Sequence, residues 1–138
     1  MAAKPSFRDA YRRSRVVVTA DGWYEWARTN RGKEPYRIVP EGGGVLLLAA
    51  VADRWRTPEG LEVEGLALVT RPAAEEVAWI HPRMPLALGP DLAEAWLAAP
   101  QESWSLSPPD PPRLTAYRVS TRVNRAGVED PDLIRPLV

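Results

Sequence analysis

The sequence predicts an α+β domain: a strongly curved antiparallel sheet or open β-barrel with a few short flanking helices. Three observations lead there. Short apolar or alternating runs recur along the chain, punctuated by turn signals such as Asp21-Gly22, "TPEG" and "EGGG". Only three stretches carry helical spacing. And 138 residues, 45% apolar and 26% charged, suit one soluble domain, 1–138, with a core of its own.

Taken in order, "KPSFRDAYRRSR" (residues 4–15) reads as a short helix, with Ser6 as N-cap and Phe7, Ala10 and Tyr11 on one stripe. "RVVVTA" (15–20) is β-branched and reads as a buried strand. After the Asp21-Gly22 turn, "WYEWAR" (23–28) alternates as a second strand, with Trp23 and Glu25 on one face and Tyr24 and Trp26 on the other. "TNRGK" (29–33) is the next turn and leads to a strand at "PYRIV" (35–39). "VLLLAAVADRW" (45–55) and "LEVEGLALVT" (61–70) follow as strands. "RPAAEEVAWI" (71–80) predicts a short helix with Pro72 in its first turn, and "MPLAL" (84–88) a short strand. "GPDLAEAWLAAP" (89–100) is a stronger helix, since Asp91 and Glu94 lie near its positive end. "SPPDPP" (107–112) is an extended loop, and "LTAYRVS" (114–120) is a last strand before a loop-like tail. No internal repeat is visible.

Composition excludes several kinds of chemistry. There is no cysteine, so these residues offer neither disulfides nor thiolate catalysis nor thiolate metal sites. His81 is the one histidine, which rules out a multi-histidine metal centre; no metal and no cofactor are expected. The longest apolar run, "VLLLAAVA" (45–52), is too short to span a bilayer, and the start shows no signal-peptide pattern, so no membrane association and a cytoplasmic location are the default. Net charge is zero but uneven: residues 1–37 hold nine Lys/Arg against four Asp/Glu, whereas 38–138 hold nine against fourteen. A basic end can meet phosphates, but on charge alone two solvated faces of unlike sign are the simpler account.

Two polar residues stand among apolar neighbours. Glu25 lies within "ADGWYEW" (20–26), and His81 lies within "WIHPRMP" (79–85), in a turn stiffened by Pro82 and Pro85. A carboxylate and an imidazole that converge in a partly dry pocket form a workable acid–base pair. Taken one at a time, each also reads as an ordinary residue: a solvated edge-strand acid and a hydrogen-bonded turn histidine. The six tryptophans are core candidates that, if exposed, could stack on bases.

"KPSFRDAYRRSRVVVTADGWYEW", "GKEPYRI", "LALVTRPAAEEVAWIHPRMPLAL", "YRVSTRVN" and "DPDLIRPL" occur in that order and together resemble the SOS response-associated peptidase (SRAP) family of abasic-site processing proteins. The resemblance covers nearly the whole chain, and its most specific elements are "ADGWYEW" and "IHPRMP", where the family usually has Asp in place of Pro82. It implies an α+β domain around a curved antiparallel barrel that binds single-stranded DNA with abasic sites in the DNA damage response. By motif position it implies Glu25 and His81 as the residues that assist proton transfers, Thr70 near the lesion and Arg83 on a DNA phosphate. The basic N-terminal stretch, Lys4 and Arg8 first, then Arg12 and Arg13, is expected to add phosphate contacts.

Family members begin Met-Cys-Gly-Arg, and that cysteine forms a thiazolidine crosslink to the opened abasic sugar. This chain begins "MAAKPSF". The expectation is therefore a SRAP-like domain lacking the family's N-terminal segment through a late start, a gene fragment or a split protein, with exposed sheet edges and self-association as consequences. Abasic-site chemistry without a stable crosslink is the leading reading. An inactive scaffold, and the peptidase of the family's name, are the alternatives.

Overall fold

The structure is a computed structural model that describes residues 14–98 and 110–137. Within these residues nine strands and one α-helix are joined by turns and two short 3-10 helices, so the α+β class with antiparallel sheets is borne out. Neither of the two larger sheets closes on itself as a barrel. The helix expected over 4–15 lies outside the described residues.

The chain forms two compact units, each with its own core. The first comprises Met1–Thr19, Leu47–Arg71 and Pro85–Pro111. Its sheet has the order β1-β4-β5, where β1 is Arg15–Ala20, β4 is Leu46–Arg56 and β5 is Glu62–Leu68; β8 (Ala87–Leu88) also pairs with β4. Ala49 and Val51 of β4 pack with Leu86, Leu88 and the helix residues Ala93 and Trp96. That helix, α1 (Pro90–Ala98), starts on a proline with Asp91 in its first turn, both favourable at the positive end. Trp96 is completely buried; its indole N–H donates to the Val16 carbonyl at 3.0 Å, and the Arg15 guanidinium lies 4.4 Å over its ring.

The second unit comprises Ala20–Leu46, Pro72–Met84 and Pro112–Val138. Its sheet has the order β2-β3-β9: β2 is Trp23–Thr29, β3 is Gly32–Pro40 and β9 is Leu114–Arg118. Both pairings are antiparallel, and Trp23↔Ile38, Glu25↔Tyr36 and Tyr36↔Arg118 fix the register. The β2–β3 hairpin turns at Asn30-Arg31 between the paired Thr29 and Gly32. Gly32 has φ of 93°, which explains a glycine there, and the Thr29 hydroxyl accepts from the Arg31 N–H at 3.1 Å. Gly22 serves a different need: a Cβ at that position would lie 2.6 Å from the Ile38 carbonyl oxygen, so only glycine lets the chain pass β3 so closely. Ala27, Ile38, Val77, Ile80, Met84 and Leu114 form the core, with Trp23 and Tyr36 packed against it.

Three expected elements differ. Residues 71–80 do not form a helix: β6 (Thr70–Pro72) is a strand, and turns follow to Ile80. The donors a helix would use internally go elsewhere. The Ala73 N–H bonds the Pro82 carbonyl at 2.9 Å and the Ala74 N–H the Met84 sulfur at 3.3 Å, while Val77 and Ile80 make tight i→i−3 bonds that aim both side chains into the core. The strand expected over 61–70 ends at Leu68, and that over 84–88 splits into β7 (Arg83–Pro85) and β8, because the Leu86 N–H leaves the ladder to bond Val69. The tail holds two 3-10 turns, capped by Ser120 and by Asp130 with Pro131 following.

Candidate functional site

Strand alternation puts Trp23, Glu25 and Ala27 on one face of β2. Trp23 and Ala27 join the core of the second unit, so Glu25, between them, is drawn onto the apolar side of the sheet, and its side chain is 22% exposed. On the other face the Trp26 indole donates to the Asn124 side-chain oxygen, and the Arg37 guanidinium sits 5.7 Å over the Tyr24 ring while pairing with Asp21 at 2.7 Å.

His81 is aimed by the chain on both sides of it. Ile80 and Met84 are buried anchors, and Pro82 is held through its carbonyl by Ala73. Between these fixed points the imidazole is half exposed, and its Nδ1 lies 3.8 Å from Glu25 Oε2. The same Nδ1 lies 3.1 Å from the Arg83 N–H and 3.1 Å from the Arg83 carbonyl oxygen. The two tautomeric forms use these partners differently. With Nδ1 bare it accepts from the Arg83 N–H and the ring's Nε2–H is left as a donor. Once protonated, Nδ1–H turns to the Arg83 carbonyl and the Glu25 carboxylate.

Burial pushes the Glu25 carboxyl above the ordinary glutamate range, and the positive charge that His81 can carry opposes this. Glu34, on the same sheet, makes an instructive contrast. It is no more exposed, yet Arg118 at 3.6 Å and Arg31 at 4.0 Å stand beside it. Glu34 is an acid held by two cations; the charged group beside Glu25, among the described residues, is an imidazole. A carboxyl group lifted by desolvation beside a titratable ring is the usual arrangement of a proton-transferring pair.

The structure brings two of the expected site residues, Glu25 and His81, into one cluster. Arg83 opens β7 directly after them and is exposed. Thr70 opens β6, is exposed, and belongs to the first unit. Lys4 and Arg8 lie outside the described residues. Two neighbours were missed by sequence reasoning: Tyr36, the cross-strand partner of Glu25, and Trp79, whose ring meets the Tyr36 ring edge to face at 5.0 Å. Tyr36 was within reach, because the Thr29–Gly32 turn fixes the register that places it opposite Glu25. Trp79 was not, because the helix expected over 71–80 aims its side chain differently. No group of three or more metal-ligating side chains occurs among the described residues.

Fold and site together define an α+β protein with one glutamate–histidine pair on a half-open sheet face. The SRAP model, described as SOS response associated peptidase, matches residues 1–126, and the chain belongs to that family. It is 33% identical over 140 residues to the abasic site processing protein YoqW of Bacillus subtilis strain 168, covering 97% of this chain and 62% of YoqW. It is 31% identical over 162 residues to the abasic site processing protein HMCES of Gallus gallus, covering 99% of this chain and 48% of HMCES. A crystal structure of a Bacteroides thetaiotaomicron protein superposes with a TM-score of 0.82 at 26% identity, over 99% of this chain and 62% of that one. The chain thus spans about three fifths of YoqW and about half of HMCES.

Proposed function

We propose that this chain binds single-stranded DNA at abasic sites as part of the response to DNA damage, with Glu25 and His81 as the acid–base pair that faces the sugar. The observation that carries this reading is the 3.8 Å approach of His81 Nδ1 to a carboxyl whose proton is held more tightly than usual, in a chain whose family relatives are named for abasic-site processing. An abasic sugar is mostly a closed hemiacetal. Opening it needs a proton delivered to the ring oxygen and one taken from the anomeric hydroxyl, and a coupled carboxyl and imidazole can do both. An amine can then condense with the aldehyde to a Schiff base, with loss of water, and a base can take the adjacent C2′ proton so that the 3′ phosphate leaves. These 138 residues contain no thiol to trap the adduct as a ring. Arg83, and Lys4 and Arg8 beyond the described residues, would neutralise phosphates, and Thr70 would contact the lesion. The cytoplasm is the proposed location.

The test is a denaturing gel of abasic single-stranded DNA incubated with the protein, with and without borohydride. The expected result is a weak adduct trapped only by reductant, with slow strand cleavage that falls by about a hundredfold or more in Glu25→Gln or His81→Ala, the low end of what a positioned acid or base contributes. Arg83→Glu should weaken binding and flatten its salt slope by about one counterion or more. Binding that ignores salt, or cleavage untouched by both site substitutions, would overturn the proposal.

A further inference from the structure

Trp79 is 57% exposed, an unusual place for the largest apolar side chain. It is not a loose surface ring. Its indole N–H donates to the Glu76 carbonyl at 3.1 Å, which closes the turn it sits in, and Tyr36 stands against it at 5.0 Å and 86°. Ile80, the next residue, is a buried anchor. The ring is therefore held in place, and its one polar atom is already used. What it presents to solvent is the apolar part of an aromatic side chain.

Its position gives that surface a meaning. Tyr36 lies directly across the ladder from Glu25 on β2 and from Arg118 on β9, so all three share the sheet face on which Glu25 meets His81. Cross-strand neighbours stand about 5 Å apart, and Trp79 lies one ring contact beyond Tyr36. An exposed, braced aromatic plane thus sits about two side chains from the acid–base pair. Two cations, Arg118 on β9 and Arg83 two residues after His81, are part of the same region. The exposed residues that flank Trp79 along the chain are Glu75, Glu76, Ala78, His81, Pro82 and Arg83, a mostly charged and polar set rather than an apolar run for a protein partner. A single flat ring among charges matches the flat, apolar face of a nucleobase on a charged strand.

We propose that Trp79 is a stacking platform for the nucleobase adjacent to the abasic nucleotide. This rests on the reading of the Glu25–His81 face as an abasic-site surface and adds how the strand is held there. An abasic residue has no base to stack, so the flanking base is the nearest group that can anchor the strand and set the register of the empty sugar against Glu25. The platform recognises a π face and not a hydrogen-bond pattern, so it accepts any base and prefers purines for their larger area.

The experiment compares the wild type, Trp79→Ala and Trp79→Phe by fluorescence anisotropy on two single-stranded oligonucleotides. Each carries one central abasic site; one has adenines on both sides, and the other has base-free tetrahydrofuran nucleotides there. Trp79→Ala should weaken binding of the adenine-flanked strand by about 5- to 150-fold, the range for one stacked base, with Trp79→Phe between it and the wild type. On the base-free strand the three proteins should bind alike, a pattern that misfolding would not produce. Equal loss on both strands, or no loss in Trp79→Ala on a strand the wild type binds, overturns the stacking role and leaves the abasic-site reading standing. A wild type that binds neither strand overturns the abasic-site reading, and the platform with it.

Discussion

The two units each place one tryptophan in or against their core, and they treat it in opposite ways. In the first unit Trp96 has a partner for everything it offers: the N–H goes to Val16, the ring lies under Arg15, and none of it is exposed. In the second unit the Trp23 N–H is buried with no hydrogen-bond partner among the described residues, and its neighbours on the same face include a desolvated carboxyl. Arg37, also in the second unit, is 6% exposed; it lies over the Tyr24 ring, and the carboxylate it pairs with, Asp21, is itself largely in water. A core built for stability satisfies its polar groups. Unsatisfied and half-satisfied groups collect where a structure gives up stability for another purpose. The difference fits the proposed function, which places the DNA on the second unit.

Replacement of the two tryptophans tests this directly. Trp96→Ala should be the most disruptive substitution in the molecule, at about 3–5 kcal/mol for an aromatic removed from a closed core, read as the loss of urea midpoint. Trp96→Phe keeps most of the volume but strands the Val16 carbonyl and costs about 1–3 kcal/mol. Trp23→Phe removes an N–H that is already unpaired, so its cost should fall well below that of Trp96→Phe. Equal costs for the two Phe variants would break the comparison, because Trp23 would then have a partner after all.

Arg37 and Asp21 supply the next test. Their contact at 2.7 Å holds the Asp21 carboxyl below the usual aspartate range, through the side-chain hydrogen bond first and the charge second. A lowered pKa means that the unfolded chain binds the proton more readily. The stability from this pair is present above the unfolded aspartate pKa and is lost as pH falls through the lower folded value. Asp21 is three-quarters exposed, so solvent screens much of the pair. Asp21→Asn should cost about 1 kcal/mol at neutral pH and nothing at a pH low enough to protonate Asp21, measured by thermal melts across that range. A cost independent of pH would show that the guanidinium packing, and not the charge, is what Asp21 supports.

How much of this was legible in the sequence follows the kind of signal involved. The β2–β3 hairpin was readable because alternation and a Thr-Asn-Arg-Gly turn fix it locally. Helix α1 was readable because its leading proline, acidic first turn and apolar spacing agree. Residues 71–80 misled for a physical reason: the helical spacing of Val77 and Ile80 also suits successive tight turns, and the choice is made by Pro82 and Met84, which take the Ala73 and Ala74 donors. Of the site, Glu25 and His81 stood out one by one as polar residues in apolar settings. Their approach, and the ring pair of Tyr36 and Trp79 beside them, depend on how the 75–80 turns fold back over the sheet, a long-range matter that no local pattern encodes.

Glu25 gives the smallest effect and the most specific one, since its sign is opposite to that of Asp21 four residues earlier. Desolvation raises its folded pKa above the ordinary value of 4.5, so between the two values the folded state binds more protons than the unfolded chain. Stability from the neutral acid is present in full below the unfolded pKa and is lost as pH rises through the raised folded one. Glutamine is neutral throughout and nearly the same shape. Glu25→Gln should therefore melt with the wild type at about pH 4 or below and above it at neutral pH, with the gap opening as pH climbs past the unfolded value. His81 opposes the rise by favouring the charged carboxylate, so in a His81→Ala background the gap should open at the same pH but go on growing to a higher one, and end larger. If Glu25→Gln instead melts below the wild type at neutral pH, the carboxylate is stabilising, and the second unit holds its acid as firmly as the first holds its tryptophan. The contrast between a satisfied core and a strained one would then fail at its central residue.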